Sequence, residues 1–186
     1  MRTERWSALG HPGATIWFTG LPASGKSTIA AAVEERLVLS GRSAYRLDGD
    51  QMRLGLNRDL GFDAASRTEN VRRTAEVARI LAEAGTVALV SVVSPYSAGR
   101  AEARALHERE GLAFMEVWLC TPLAECERRD PKGLYARARR GEITGMTGID
   151  DPYETPAAAD LVLTPDLSVE ASAERVLRLI DSPDSR

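Results

Sequence analysis

Five short apolar runs divide the chain, and between them apolar positions recur at helical spacing rather than in alternation. The runs are Ala14-Thr15-Ile16-Trp17-Phe18-Thr19, Ala44-Tyr45-Arg46-Leu47, the β-rich stretch from Thr86 to Val93, Phe114-Met115-Glu116-Val117-Trp118-Leu119, and Leu161-Val162-Leu163. The stretch from Thr86 to Val93 is apolar on both faces, as expected of a central parallel strand covered by helices on either side. After the first run, Ile29 to Leu37 reads as a helix that closes at Ser40-Gly41, with Gly41 suited to a C-cap. The longest helix is expected over about Ala64 to Ala84. Val71, Ala75, Ala78, Leu81 and Ala82 form its apolar stripe, Arg67, Glu69, Arg72, Arg73, Glu76 and Arg79 its polar side, and Gly85 its end. Further helices are predicted over about 98–110, from near Leu123 after Pro122, and over about 168–180 with Ser168 as N-cap.

Strand and helix alternate about five times, which predicts an α/β fold: a parallel sheet of about five strands with helices on both faces. Residues 1–13, ending at His11-Pro12-Gly13, read as a short, poorly ordered lead-in, and residues 14–186 as a single domain. Residues 128–156 are basic, glycine-rich and only partly helical, and are expected to form a mobile lid over one end of the sheet. At 186 residues the chain suits one well-buried domain.

The turn after the first strand changes the picture most. Gly20-Leu21-Pro22-Ala23-Ser24-Gly25-Lys26-Ser27-Thr28 matches the G-x-x-x-x-G-K-[ST] phosphate-binding pattern in full, with strand before it and helix after it. The exposed N–H groups of such a turn, with the positive end of the helix dipole, hold polyanionic phosphate. Lys26 would reach the β- and γ-phosphates of a nucleotide and Ser27 would ligate Mg²⁺, giving a P-loop NTPase-type fold with ATP as donor.

The remaining chemistry clusters after the second strand. Asp48-Gly49-Asp50 places two carboxylates at a strand's carboxyl end, where open α/β sheets bind ligands. Asp50 suits a hydroxyl-orienting base or Mg²⁺-water ligand, and a solvated turn carboxylate is the competing reading. Arg53 and Arg67 suit forked hydrogen bonds to an anionic acceptor, whereas Arg72 and Arg79 read as ordinary solvated helix arginines. Phe62, in a glycine-bounded loop, either stacks on a flat ligand or packs in the core. Lys132 would bring lid charge to bound phosphates.

Composition narrows the class. A formal charge of -3, from 24 Lys+Arg against 27 Asp+Glu, argues against a nucleic-acid surface. The two cysteines have no metal-ligand spacing, the two histidines are far apart, and no apolar run approaches the roughly 18 residues of a membrane span. Met1 to Ser7 has charge but no apolar region behind it, so no secretion signal is expected and a cytoplasmic enzyme is. The chain carries no guanine-reading Asn-Lys-x-Asp run and is short for a motor, which favours a small-molecule kinase.

These residues carry a resemblance. Trp17-Phe18-Thr19-Gly20-Leu21, Leu47-Asp48-Gly49-Asp50, Arg53 to Phe62, Arg67-Thr68-Glu69-Asn70-Val71-Arg72-Arg73, Ser94-Pro95-Tyr96, Arg129 to Tyr135 and Thr147 to Glu154 together resemble the adenylylsulfate kinases. Members of that family phosphorylate the ribose 3′-hydroxyl of adenosine 5′-phosphosulfate (APS) to give PAPS. The similarity runs from about Ala14 to Leu163. It implies that Asp50 lies by the acceptor hydroxyl and the metal, that Arg53, Arg67 and Asn70 bind APS, and that Phe62 stacks on its adenine. It further implies nucleotide-binding roles for Arg129 and Lys132. Ser94 aligns with a serine that family descriptions label a phosphoserine intermediate. Direct in-line transfer needs no covalent step, so a substrate contact or structural role is the more physical reading of Ser94.

Two departures stand out. Met146 replaces the second phenylalanine of the family's adenine clamp, although a thioether still packs against a ring. Ser97-Ala98-Gly99-Arg100 keeps only the arginine of a basic segment. The resemblance implies a homodimer and leaves room for a separate ATP sulfurylase as partner. The competing readings are a P-loop kinase of another small hydroxyl metabolite and a non-catalytic nucleotide-binding partner of a sulfate-activating enzyme.

Overall fold

The computed structural model describes residues 1–182. A short helix, α1 (Arg2–Leu9), precedes the first strand, β1 (Ala14–Thr19). Then follow α2 (Lys26–Leu39), β2 (Ala44–Asp48), α3 (Gly49–Leu54), α4 (Ala64–Ala84) and β3 (Val87–Ser91). The second half comprises α5 (Ser97–Arg109), β4 (Ala113–Leu119), α6 (Leu123–Arg129), α7 (Leu134–Arg139), β5 (Leu161–Leu163) and α8 (Val169–Asp181). All strand pairings are parallel, in the order β2-β3-β1-β4-β5. The fold is the α/β P-loop NTPase type.

The burial pattern follows from that order. β1 and β3 are central and buried at every residue, so they read as unbroken apolar runs. β2 is an edge, and its Tyr45 is exposed. On one face Ile16, Phe18, Leu89 and Val117 pack with Ile29, Val33 and Leu37 of α2 and Val176 of α8. On the other, Trp17, Val90 and Phe114 pack with Val71, Ala75 and Ala78 of α4 and Ala103 of α5. His107 is buried between these layers. Its Nδ1–H donates to the Ala103 carbonyl at 2.7 Å, so its Nε2 accepts from the Thr15 hydroxyl at 2.9 Å, and burial lowers its pKa.

The helix caps account for the element boundaries. Asp63 accepts from the Ser66 N–H at the start of α4, and Gly85 ends it in the left-handed region. Ser168 caps α8 through the Ala171 N–H. The segment expected to be a poorly ordered lead-in contains α1, whose Trp6 and Leu9 close over Gly85. Eight residues with three apolar positions, Trp6, Ala8 and Leu9, bunched at one end give too short a period to announce a helix in sequence. Among the described residues no helix is long and apolar enough to cross a membrane.

Candidate active site

The carboxyl ends of β1, β2 and β3 open on a cleft. Its floor begins with the turn between β1 and α2. A Cβ at Gly20 would lie 2.8 Å from the Leu119 carbonyl oxygen, which leaves room only for glycine. Gly25, at φ +107°, turns the chain into α2. Lys26 is buried and its Nζ donates to the carbonyls of Gly20 at 2.9 Å and Leu21 at 2.7 Å. Burial pushes its pKa down to about 8, against the opposing pull of the Cys126, Asp48 and Asp50 side chains. An ammonium held this way lacks a counterion, and a phosphate group would supply one.

Beside it the exposed Ser27 hydroxyl donates to Asp48 Oδ2 at 2.5 Å. Asp48 also caps α3 by accepting from the Asp50 N–H at 3.0 Å. Asp50 stands in the first turn of α3, and its carboxylate is in contact with Lys132 Nζ from the segment between α6 and α7. Among the described residues no group of three or more His, Cys, Asp or Glu side chains converges as a metal cage.

The other end of the cleft is cationic and aromatic. Arg53 Cζ lies 4.3 Å, and Arg67 Cζ 5.9 Å, from the centroid of the exposed Phe62 ring. Burial, and then the neighbouring Arg67, push the Arg53 pKa below its ordinary value. Arg67 has a carboxylate partner but Arg53 has none among the described residues, and an unpaired guanidinium in a recess is the electrostatic condition for an anion site. Each is already oriented: Arg53 donates to the Leu60 and Gly61 carbonyls at 3.0 Å. Arg67 donates to the Phe62 carbonyl at 2.8 Å, contacts the Gly145 carbonyl and pairs with Asp151 at 3.4 Å.

Ser94 lies at the back wall, with φ +42° and 2 % exposure. Its hydroxyl donates to Thr19 Oγ1 and accepts from Trp17 Nε1–H, both at 3.0 Å. Both partners are neutral.

Lys26, Ser27, Asp50, Arg53, Phe62, Arg67, Asn70, Ser94, Lys132 and Met146 therefore line one cleft, together with Pro22. Leu21 and Ala23 instead pack against Cys126, Tyr135 and the largely buried Met146. Ser24, Gly25, Thr28 and Arg129 face a second recess across the phosphate loop, closed by residues Thr164, Pro165 and Leu167. Arg129 reaches the Ser24 carbonyl at 3.4 Å.

Sequence reasoning passed over several residues that hold this arrangement. Arg100 is 3 % exposed, pairs with Glu116 at 2.7 Å, and donates to the carbonyls of Ser94 and Glu154 at 2.7 Å each. It is the arginine retained where the segment after Tyr96 departs from the family pattern. The motif from Thr147 to Glu154 is an anchor. Asp150 accepts from the N–H groups of Gly145 and Met146, Tyr153 meets Thr19, and Glu154 caps α5 at Ser97. Asp48 was legible as a strand-end carboxylate, but its bond to Ser27 was not. Arg100 and the anchoring residues were legible only as parts of motifs, with nothing local to mark their distant partners.

Residues 12–164 match the family model described as adenylylsulphate kinase. The chain is 55% identical over 170 residues to the bifunctional enzyme CysN/CysC of Mycobacterium tuberculosis, covering 91% of this chain and 28% of that one. It is 50% identical over 163 residues to the adenylyl-sulfate kinase of Saccharomyces cerevisiae, covering 88% of this chain and 81% of the relative. The structure of the M. tuberculosis APS kinase CysC in complex with AMPPNP and APS superposes with a TM-score of 0.90 at 54% identity, over 92% of this chain and 99% of that one.

Proposed function

The chain belongs to the adenylylsulfate kinase family, and from that premise we propose that it transfers the γ-phosphate of ATP to the 3′-hydroxyl of APS, giving PAPS and ADP. The observation that carries this reading is the convergence of Arg53, Phe62, Arg67 and Asn70 on the same cleft as Lys26 and Ser27. A flat aromatic face beside two guanidiniums suits a nucleotide whose charge lies at its 5′ end. The phosphate loop opposite it suits a donor.

The roles divide as follows. Lys26 and the loop N–H groups from Ala23 to Thr28 hold the donor phosphates, and the recess beside Ser24, Thr28 and Arg129 takes the donor's nucleoside. Arg53, Arg67 and Asn70 grip the acceptor, Phe62 stacks on its adenine, and Met146 packs opposite as the softer half of the clamp. Asp50 orients the 3′-hydroxyl for in-line attack and accepts its proton. Lys132 neutralises Asp50 in the ligand-free protein, and phosphate entering the cleft offers it a stronger partner, which frees Asp50 as the lid closes. Excluding water then matters, because water is the competing acceptor.

Mg²⁺ fits the donor set at the phosphate end. Ser27 and the Asp48 and Asp50 carboxylates are hard oxygen ligands, and this ion is ordinarily held by one or two protein oxygens plus substrate phosphates. When bound, it neutralises charge on the β- and γ-phosphates. Cytoplasmic residence accords with two free cysteines, Cys120 and Cys126, in a chain without a disulfide among its described residues. We extend the proposal to a homodimer and to a sulfurylase partner. The latter is supported by bifunctional relatives of which this chain spans only 28%.

We propose that Ser94 positions its strand end and carries no phosphate. Its hydroxyl is taken up by Trp17 and Thr19, and among the described residues no base is hydrogen-bonded to it. Ser94→Ala is therefore expected to keep turnover within about tenfold of wild type and to lower stability by about 1 kcal/mol, the net worth of such bonds. Steady-state kinetics with a thermal melt check both, and loss of all turnover in a folded variant would restore the covalent role.

The substrate assignment is tested by incubating the protein with Mg-ATP and, separately, APS, AMP, gluconate or buffer, and identifying products by mass. A phosphorylated product is expected from APS alone. Turnover of gluconate without turnover of APS overturns the assignment.

A further inference from the structure

We propose that Asn57, which lies outside the cleft, fixes which edge of the Asn70 amide faces the acceptor. The inference rests on the reading of the cleft as the acceptor-nucleotide site.

Asn57 is completely buried in the turn after α3, and its Nδ2 donates to Asn70 Oδ1 at 2.9 Å. Asn70 Oδ1 is thereby occupied. Its Nδ2 has no partner among the described residues, is not sealed from solvent, and belongs to a residue lining the cleft. The edge offered to a ligand is therefore a pure donor beside Arg53 and Arg67, suited to oxygens of an acceptor-rich anion and opposed to N–H groups.

The orientation has a physical cause. Asn57 Oδ1 is buried without a partner. Turning both amides over would keep one bond between them but strand the Asn57 NH₂ instead, and a buried orphan N–H group is the rarer arrangement. Asn57 itself is held at both ends. Its N–H donates to the Met52 carbonyl at 2.8 Å and its carbonyl accepts from the Leu60 N–H at 3.1 Å. Arg73 of α4 grips the same turn through the Leu56 carbonyl at 3.1 Å and through both oxygens of Asp59 at 2.7 and 2.9 Å.

The test exploits a residue that changes polarity with pH. In Asn57→Asp the introduced carboxyl, raised in pKa by burial, is a donor when protonated and only an acceptor when ionised. Protonated, it still donates to Asn70 Oδ1 and keeps the donor edge outward. Ionised, it requires the Asn70 NH₂, so the carbonyl turns toward the anion.

The charged groups around the turn are Arg53 of α3, Arg58 and Asp59 of the turn itself, and Arg67, Glu69 and Arg73 of α4. Asp59 and Glu69 are held below the usual carboxylate range by Arg73 and, for Glu69, first by Arg72, and the guanidiniums stay charged. Asp48, Asp50, Lys132 and Lys26 lie toward the donor side and are shared with wild type, so they cancel in a variant-to-wild-type ratio.

The KM for APS of Asn57→Asp, relative to wild type, is expected to rise about tenfold or more between pH 6 and 9. The KM for ATP and the kcat at saturating APS should hold. A ratio flat across that range overturns the proposal, because a merely structural defect has no reason to follow this ionisation. If that variant fails to fold, Asn57→Ser removes the amide without adding charge. A raised KM for APS at unchanged kcat then supports the proposal, and a wild-type KM overturns it. Asn70→Ala separates the two levels: a wild-type KM for APS there refutes the acceptor site itself, not the orienting role of Asn57.

Discussion

Lys26→Ala is expected to lower kcat for APS-dependent ADP release by roughly 10³-fold or more, the scale of losing a preorganised donor to transition-state charge, while the protein remains folded. In the ligand-free cleft the ammonium is spent on the carbonyls of Gly20 and Leu21, and its pKa of about 8 records burial without a counterion. Removing it therefore takes away catalysis without taking away a stabilising ion pair. The folded-state pKa lies below the unfolded 10.5, so below pH 8 the group is charged in both states and its burial penalty is fully present. Between about 8 and 10.5 the unfolded chain binds more protons, and wild type gains stability with rising pH. Melting temperatures should show that gain in wild type and not in Lys26→Ala. Nucleotide phosphates should also restore the Lys26 pKa, so that binding of an ATP analogue near pH 8 takes up protons in wild type only. Titration calorimetry in buffers of different ionisation enthalpy measures this. Undiminished ADP release by folded Lys26→Ala would remove Lys26 from the mechanism.

How much of this was legible in the sequence depended on the range of the interaction. The phosphate loop from Gly20 to Thr28 is a local motif whose glycines, lysine and serine act within a few residues of one another, and it could be read outright. The boundaries of α4 were equally readable, because Gly85 and the stripe through Val71, Ala75 and Ala78 are local signals too. The five strands and their parallel pairing followed from the alternation of runs and helices. What could not be read is pairing at a distance. Arg100 meets Glu116 and Glu154 from other elements, and Glu154 caps α5 from far along the chain. Nothing near either residue marks these contacts. Asn57 was seen only as part of a motif, since its role depends on facing Asn70 across a turn. Met146 was expected opposite the substrate ring and does line the cleft, but it also packs against Cys126 and Tyr135. A sulfur placed between two apolar surroundings serves both, which sequence position alone does not reveal.

Asp50→Asn should separate chemistry from binding. The carboxylate is exposed in the first turn of α3 and, among the described residues, is paired with Lys132 alone, so its loss should leave the folded cleft and the grip of Arg53, Arg67 and Phe62 in place. Turnover is expected to fall by about 10²- to 10⁴-fold, the range of a lost general base, while the KM for APS stays near wild type. The amide keeps the shape of the side chain but can neither take the proton nor pair with Lys132. That second loss has its own signature. Without Asp50 to hold it, Lys132 is released in the ligand-free protein, and the variant should bind an ATP analogue as tightly as wild type or more so. Lys132→Met then acts as the counterpart, weakening nucleotide affinity while leaving the base intact. Asp50→Asn with near-normal kcat would show that the 3′-hydroxyl loses its proton without this carboxylate. A large rise in the KM for APS at constant kcat would instead make Asp50 a binding residue. Pre-steady-state measurement of a single turnover distinguishes these outcomes, because it isolates the transfer step from product release.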